Sequence, residues 1–357
     1  MSLVNTNTIM PLDHTGAELA SISGSLRLLI SHQKQIDLIA KTIKNHKRLF
    51  VVGSGESLVA AKYFELILRL EENITVVAVQ SFGFLKRYTK QLDCDTCVLV
   101  LSSSGRPSPV IKALKIVIDS PATSILLTNN AENWTLKEVP DLFYSTLASK
   151  KGMPTQSTVA TVVTLLLIAQ QLKSNINRFY SSELLEHIHG FDSEIVEVLT
   201  RHRNKIEELY DSKGGFSCLG TGFGSILSES LANLLACGPE VEANFMEIEE
   251  YHHSLRMFMS QRTKVVFITC DSEQLDIFTR ETIEELLSKS ARVVLLCTYD
   301  VSQYSFSSDD DFMALSLIKR GNCSQEVKSI FLLNMIQYIA FYMAIYATEC
   351  GHVRASI

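Results

Sequence analysis

Short, continuously apolar runs alternate with amphipathic ones through the first half of the chain. "KRLFVVGSG" reads as a buried strand ending in a glycine turn, and "SLVAAKYFELILRL" carries apolar residues at helical spacing. "NITVVAVQ", "CVLVL" and "TSILLTN" predict strands, with helices predicted at "FLKRYTKQL" and "PVIKALKIVI" between them. "LFYSTL" is the last strand expected before a long apolar helix, "STVATVVTLLLIAQQL". Strands that are apolar throughout and separated by helices predict an α/β fold, a parallel sheet with helices on both faces.

The second half repeats the order. "GGFSCLGTGFG" is a strand and glycine turn, "SILSESLANLLA" a helix, "KVVFITC" and "ARVVLLC" strands around the helix "DIFTRETIEELL", and "DFMALSLI" a further strand. The chain then closes on "SIFLLNMIQYIAFYMAIYA". Its length approaches a bilayer span, but Asn334 and Gln337 interrupt it and no basic flank follows, so it reads as a buried helix. The polar stretch "KSNINRFYSSELLEHIHGFDSE" marks the join. Two domains are expected: 1–190, with N-terminal helices from "ELASISGSLRLLISHQKQIDLIAKTIKNH" and a first α/β unit, and 191–357 with a second.

At 357 residues, 46% hydrophobic and 20% charged, the chain can bury cores of that size. The net charge of −6 supplies no basic field, so neither nucleic acid nor a membrane is an expected partner. Eight scattered cysteines, several within predicted strands, and no visible signal peptide suit a reducing, cytoplasmic location. The one CxxC, Cys94 and Cys97, runs into a strand and has no second pair, which argues against a zinc or redox site; no metal or cofactor is expected.

"CVLVLSSSGRPSP" places three hydroxyls and a glycine where a buried strand gives way to a helix. In an open parallel sheet, ligands bind beyond the carboxyl ends of the strands, and a helix N-terminus favours an anion. On an exposed loop, Ser102, Ser103 and Ser104 would donate to a phosphate, and Gly105 would let it approach closely. The plainer alternative is that these serines only cap the next helix. A dinucleotide site fits poorly, because Leu58 stands where the glycine fingerprint needs a small residue and no acidic residue follows the second strand. No GxxxxGK[ST] occurs.

"VGSGESLVAAKYFE" and "VLVLSSSGRPSPVIKAL" together resemble the sugar isomerase (SIS) domain, with its G-x-G-x-S turn and S-x-S-G-x-T loop. "LGTGFGSILSESLANLL" followed by "ANFMEIEEYHHSL" is similar to the second SIS domain of two families: the isomerase half of glucosamine-6-phosphate synthase and the fructosamine-6-phosphate deglycases. The resemblance implies phosphate donors at Ser57, Ser102, Ser103 and Ser104. The family's threonine falls on Pro107, with Ser108 as its stand-in. Glu250 and His253 fall on the glutamate and histidine of E-x-x-H-G-P, while Ser254 and Leu255 replace its glycine and proline. His253 would open the sugar ring in a neighbouring subunit's site, which implies a homodimer or higher homo-oligomer. The family's proton-transfer glutamate falls on Cys237 and its Schiff-base lysine on Leu234.

Such chemistry needs a phosphate anchor, a carboxylate to move a proton between neighbouring carbons and an acid near the ring oxygen. "VEANFMEIEEYHHS" crowds Glu240, Glu242, Glu247, Glu249 and Glu250 against His252 and His253. Crowding raises carboxylate pKa values; the alternative is a solvated acidic helix face. With no glutaminase segment evident before the first domain, a reaction without an ammonia donor is expected. The favoured one cleaves a 6-phosphorylated sugar–amine (Amadori) adduct to hexose phosphate and amine. An amino-sugar phosphate isomerase or deaminase, and a catalytically silent phosphosugar sensor, stand beside it.

Overall fold

The computed structural model describes residues 10–71, 73–106, 108–130, 139–173, 179–211, 214–256, 263–270, 275–308, 310–353 and 355–356. Pro107 and part of the expected join, 174–178, lie outside them. A short strand β1 (Met10–Pro11) leads into helices α1 (Leu12–Ala20), α2 (Ile22–Ser31) and α3 (Gln33–Lys44). The first α/β unit then runs β2 (Arg48–Gly53), α4 (Glu56–Leu68), β3 (Thr75–Gln80), α5 (Ser81–Arg87), β4 (Thr96–Ser102), α6 (Pro109–Ile118), β5 (Thr123–Thr128), β6 (Leu142–Ser145) and α7 (Gln156–Leu172). Helices α8 (Tyr180–His187), α9 (Phe191–Arg201) and α10 (Arg203–Asp211) cross to the second unit.

That unit repeats the plan: β7 (Phe216–Gly220), α11 (Phe223–Cys237), β8 (Ala243–Glu247), a short α12 (Ile248–Glu250), β9 (Lys264–Ile268), α13 (Ile277–Ser288), β10 (Arg292–Cys297), β11 (Phe312–Ser316) and α14 (Gln325–Glu349). A last strand, β12 (Ala355–Ser356), pairs with β1. Both five-stranded sheets are parallel, ordered β3-β2-β4-β5-β6 and β8-β7-β9-β10-β11, so each half has one topology. The sequence reading misses β8. "ANFME" is half-exposed edge strand with no apolar run to mark it.

Alternate residues of the central strands serve different cores, which is why those strands are apolar throughout. Leu49 and Val51 of β2 face inward with α4 and α7, whereas Phe50 and Val52 pack outward with α5 and α6. In the second sheet Val266 and Ile268 face inward and Val265 and Phe267 outward. One inner core runs from Leu12 to Val353 through both halves. Helix α14 is apolar enough to cross a membrane, with an 18-residue window of mean hydropathy 1.6, but 78% of that window is buried inside the fold. Asn334 and Gln337, the residues that interrupt the apolar run, are buried there; the Gln337 amide donates to the Thr155 carbonyl at 3.2 Å.

Candidate functional site

The order of the first sheet reverses between β2 and β4, and the loops leaving these strands border the resulting crevice. The turn after β2 holds Gly55 at φ +57°, a conformation that favours glycine, and Gly222 repeats it at φ +53° after β7. Gly53 sits so close to the next helix that a Cβ would lie 2.5 Å from the Ser57 carbonyl oxygen. The turn therefore delivers Ser57 into the first turn of α4, beside the loop after β4.

The Ser57 and Ser103 hydroxyls stand 3.4 Å apart, joining the two sequence motifs at one point. Ser103 and Ser104 are half-buried, and Gly105 takes a left-handed conformation at φ +62°. Ser102 departs from the expected exposed loop: it ends β4 and is buried, because β5 still pairs with it and Thr128 donates to its carbonyl. Ser108 is exposed and caps α6, its hydroxyl accepting from the Ile111 N–H at 3.5 Å, with Pro109 in the first helical turn. For Ser108 the capping role is thus realised.

Three groups absent from the sequence reading complete this region. Glu56, the first residue of α4, is buried and turns toward the second half: its carboxylate accepts from Ser230 Oγ at 2.6 Å and from Asn233 Nδ2 at 3.1 Å, both on α11. Burial pushes its pKa up to about 7, opposed by those two hydrogen bonds and reinforced by Glu229. Lys150, on the loop between β6 and α7, is held below the usual lysine range by burial, with Glu18, Cys237 and Glu56 pulling it back up and Arg106 adding to the depression. Cys237 ends α11 with its residue exposed at the surface; desolvation by the surrounding protein raises its thiol, and Lys150 opposes this.

The third group, Glu18 of α1, fixes the Lys150 loop. Its buried carboxylate accepts from Ser149 Oγ (2.7 Å), the Lys151 N–H (2.6 Å), the Gly152 N–H (3.4 Å) and Thr155 Oγ1 (3.4 Å). Thr15 Oγ1 accepts from the Met153 N–H at 2.9 Å, and a Cβ on Gly152 would fall 2.3 Å from that same oxygen. Leu147, three residues before Lys150, is held at φ +57°, a strained value for leucine. A helix that precedes the first sheet thereby holds the loop that carries Lys150. "SKKGMPTQS" and "GSGES" carry the only sequence signal for Lys150 and Glu56, charged residues set where strands end; Glu18, within α1, has none.

The Glu/His segment lies elsewhere. Glu250 ends α12 and His253 sits in the single π-helical turn Tyr251–Leu255; both are exposed. The segment's contacts run to α13: His252 Nε2 meets Thr282 Oγ1 at 2.7 Å, and Arg256 pairs with Glu285 at 2.8 Å. Glu240, Glu242, Glu247, Glu249 and Glu250 are all exposed, so solvent screens their mutual repulsion. Among the described residues no cluster of His, Cys, Asp and Glu is arranged to hold a metal.

Glu56 makes stability depend on pH. Its pKa lies near 4.5 when unfolded and about 7 when folded, so the folded state binds the extra proton between these values. Stability is therefore greatest below pH 4.5 for this group and falls as pH rises through 7, by about 3 kcal/mol in all. Urea unfolding at pH 5 and pH 8 should show that loss in the natural chain and lack most of it in Glu56→Gln. Equal pH slopes for the two proteins would contradict it.

Residues 42–171 match the family model of the SIS domain. The chain is 24% identical over 283 residues to glutamine–fructose-6-phosphate aminotransferase (isomerizing) of Sulfolobus acidocaldarius, an alignment covering 77% of this chain and 45% of that protein. It spans about half the length of such relatives. Its fold is that of the C-terminal domain of glucosamine-fructose-6-phosphate aminotransferase from Francisella tularensis, with a TM-score of 0.74, 14% identity and 98% of each chain covered. Glucosamine-6-phosphate deaminase of Thermotoga maritima superposes with a TM-score of 0.67 at 18% identity, covering 95% of this chain and 96% of that one.

Proposed function

We propose that this tandem SIS-domain chain is a phosphosugar-processing enzyme that cleaves a 6-phosphorylated sugar–amine adduct to hexose phosphate and free amine. The observation that carries the reading is the meeting of Ser57 and Ser103 at the point where the sheet order reverses, with Ser104 and Gly105 beside them. Small hydroxyl donors at two helix entrances suit a phosphate dianion better than a neutral ligand. The phosphate would anchor one end of the substrate and leave its first two carbons toward Lys150, Glu56 and the end of α11. Breakdown of an Amadori adduct then needs a proton moved from C1 to C2, followed by water adding to the imine carbon; atoms balance with water as the only co-reactant.

Glu250 and His253 enter this reading as groups lent to another copy of the chain. Both are exposed on the edge-strand side of the second sheet, where a second subunit can receive them. The assembly is accordingly proposed to be at least a dimer.

A phosphosugar sensor without turnover is the competing reading, favoured by Cys237 at the position of the family's glutamate. One assay separates the two. The protein is incubated with a panel of 6-phosphorylated fructose–amine adducts and with glucosamine 6-phosphate, and hexose phosphate and amine are measured. Release from an adduct is the expected result. Ammonia from glucosamine 6-phosphate alone makes the protein a deaminase, and binding without any release makes it a sensor.

A further inference from the structure

Where the SIS relatives' pattern places a proton-transfer glutamate and a lysine, this chain has Cys237 and Leu234. A carboxylate and an amine nevertheless interact electrostatically beside the carboxyl end of the first sheet, brought there by other elements, the Lys150 ammonium donating to the Gly152 carbonyl at 3.3 Å. Glu56 opens α4 between Gly55 and Ser57, so it is adjacent in sequence to one of the two serines that meet there. Ser230 and Asn233 of α11 hold its carboxylate in place. Lys150 comes from the loop after β6, whose backbone Glu18 and Thr15 immobilise. The charged and titratable groups facing Glu56 are Glu229 and Lys150; those facing Lys150 are Glu18, Cys237, Glu56 and Arg106.

We propose that Glu56 and Lys150 are the proton-transfer pair of this site, in place of the glutamate and lysine lost at 237 and 234. The inference rests on the phosphosugar reading above. On a ketoamine, the Glu56 carboxylate takes a C1 proton while the Lys150 ammonium gives one to the C2 carbonyl oxygen, forming an enaminol. Glu56 returns its proton to C2, and the Lys150 amine takes the proton from the substrate nitrogen, leaving the C1 imine. Both groups end as they began, and no oxidant or reductant is needed. Burial supports the assignment, since it brings the two groups toward one another in proton affinity, with Glu56 near 7 and Lys150 lowered.

The proposal can be read without knowing the amine. In D2O, Glu56 should exchange the C1 hydrogen of fructose 6-phosphate with solvent, followed by proton NMR on the full chain, while calorimetry tracks binding. Glu56→Gln should slow exchange at least about 10²-fold with fructose 6-phosphate still bound. Ser230→Ala removes a bond that favours the Glu56 carboxylate, so the rise of exchange with pH should move to higher pH; a merely structural glutamate would leave the profile in place. That second variant decides the matter if Glu56→Gln does not fold. Bound fructose 6-phosphate without exchange in the natural chain, natural exchange rates in Glu56→Gln, or an unmoved Ser230→Ala profile would each overturn the pair. Exchange without adduct cleavage would fail the deglycase reading and leave the pair standing. Absence of phosphosugar binding would overturn both.

Discussion

Ser57→Ala combined with Ser103→Ala is expected to weaken phosphosugar binding about 10²–10⁴-fold. A hydrogen bond to a charged group contributes about 1.5–3 kcal/mol, and two such losses amount to about 3–6 kcal/mol. Their hydroxyls are 3.4 Å apart, so one phosphate can reach both. This pair is a cleaner test than Ser102, which is buried at the end of β4, or Ser108, which caps α6. Removing either of those would disturb the fold as well as the ligand; a lost cap alone costs about 1 kcal/mol. Calorimetry gives the affinity and thermal unfolding the stability. Unchanged affinity in a folded double variant would reduce these serines to local structure.

The second large effect concerns Glu250 and His253. Either alanine variant should lose turnover by about 10²–10⁴-fold, the usual contribution of one general acid or base, while phosphosugar binding survives. The reason for survival is topological: the serines belong to the first sheet and this segment to the second. If the segment serves a neighbouring copy, His253→Ala mixed with the Ser57→Ala, Ser103→Ala protein should recover part of the activity, because one composite site per mixed dimer is intact. Full activity in a Glu250→Ala, His253→Ala protein would remove the segment from the chemistry. Failure to recover after demonstrated subunit exchange would confine each site to one chain.

The architecture was readable because its central strands are uniformly apolar. Val98 to Leu101 lie between two cores and must be hydrophobic on both faces, which leaves no ambiguity about a covered parallel sheet. β8 escaped notice for the opposite reason, since an edge strand with exposed Asn244 and Phe245 has no such pattern. The serine loop was legible because hydroxyls after a buried strand are unusual. Glu56 was not: on paper it is one polar residue in a helix's first turn, where acidic side chains are common. Only the packing of α4 against α11 makes it a buried carboxylate. Glu18 and Lys150 are 132 positions apart and come together through tertiary structure alone, and the carboxylates of 240–250 are all exposed to solvent once folded.

The inner core passes without a break from one half to the other, and the halves meet through matching helices, α4 against α11 and α7 against α14. The chain is thus organised like a two-fold dimer whose copies share one peptide. Each half expressed alone would present that inner helical layer to water and would have to find a second copy, or the missing half, to cover it. Calorimetric melting of the whole chain should accordingly be a single cooperative event, with the van't Hoff and calorimetric enthalpies in agreement.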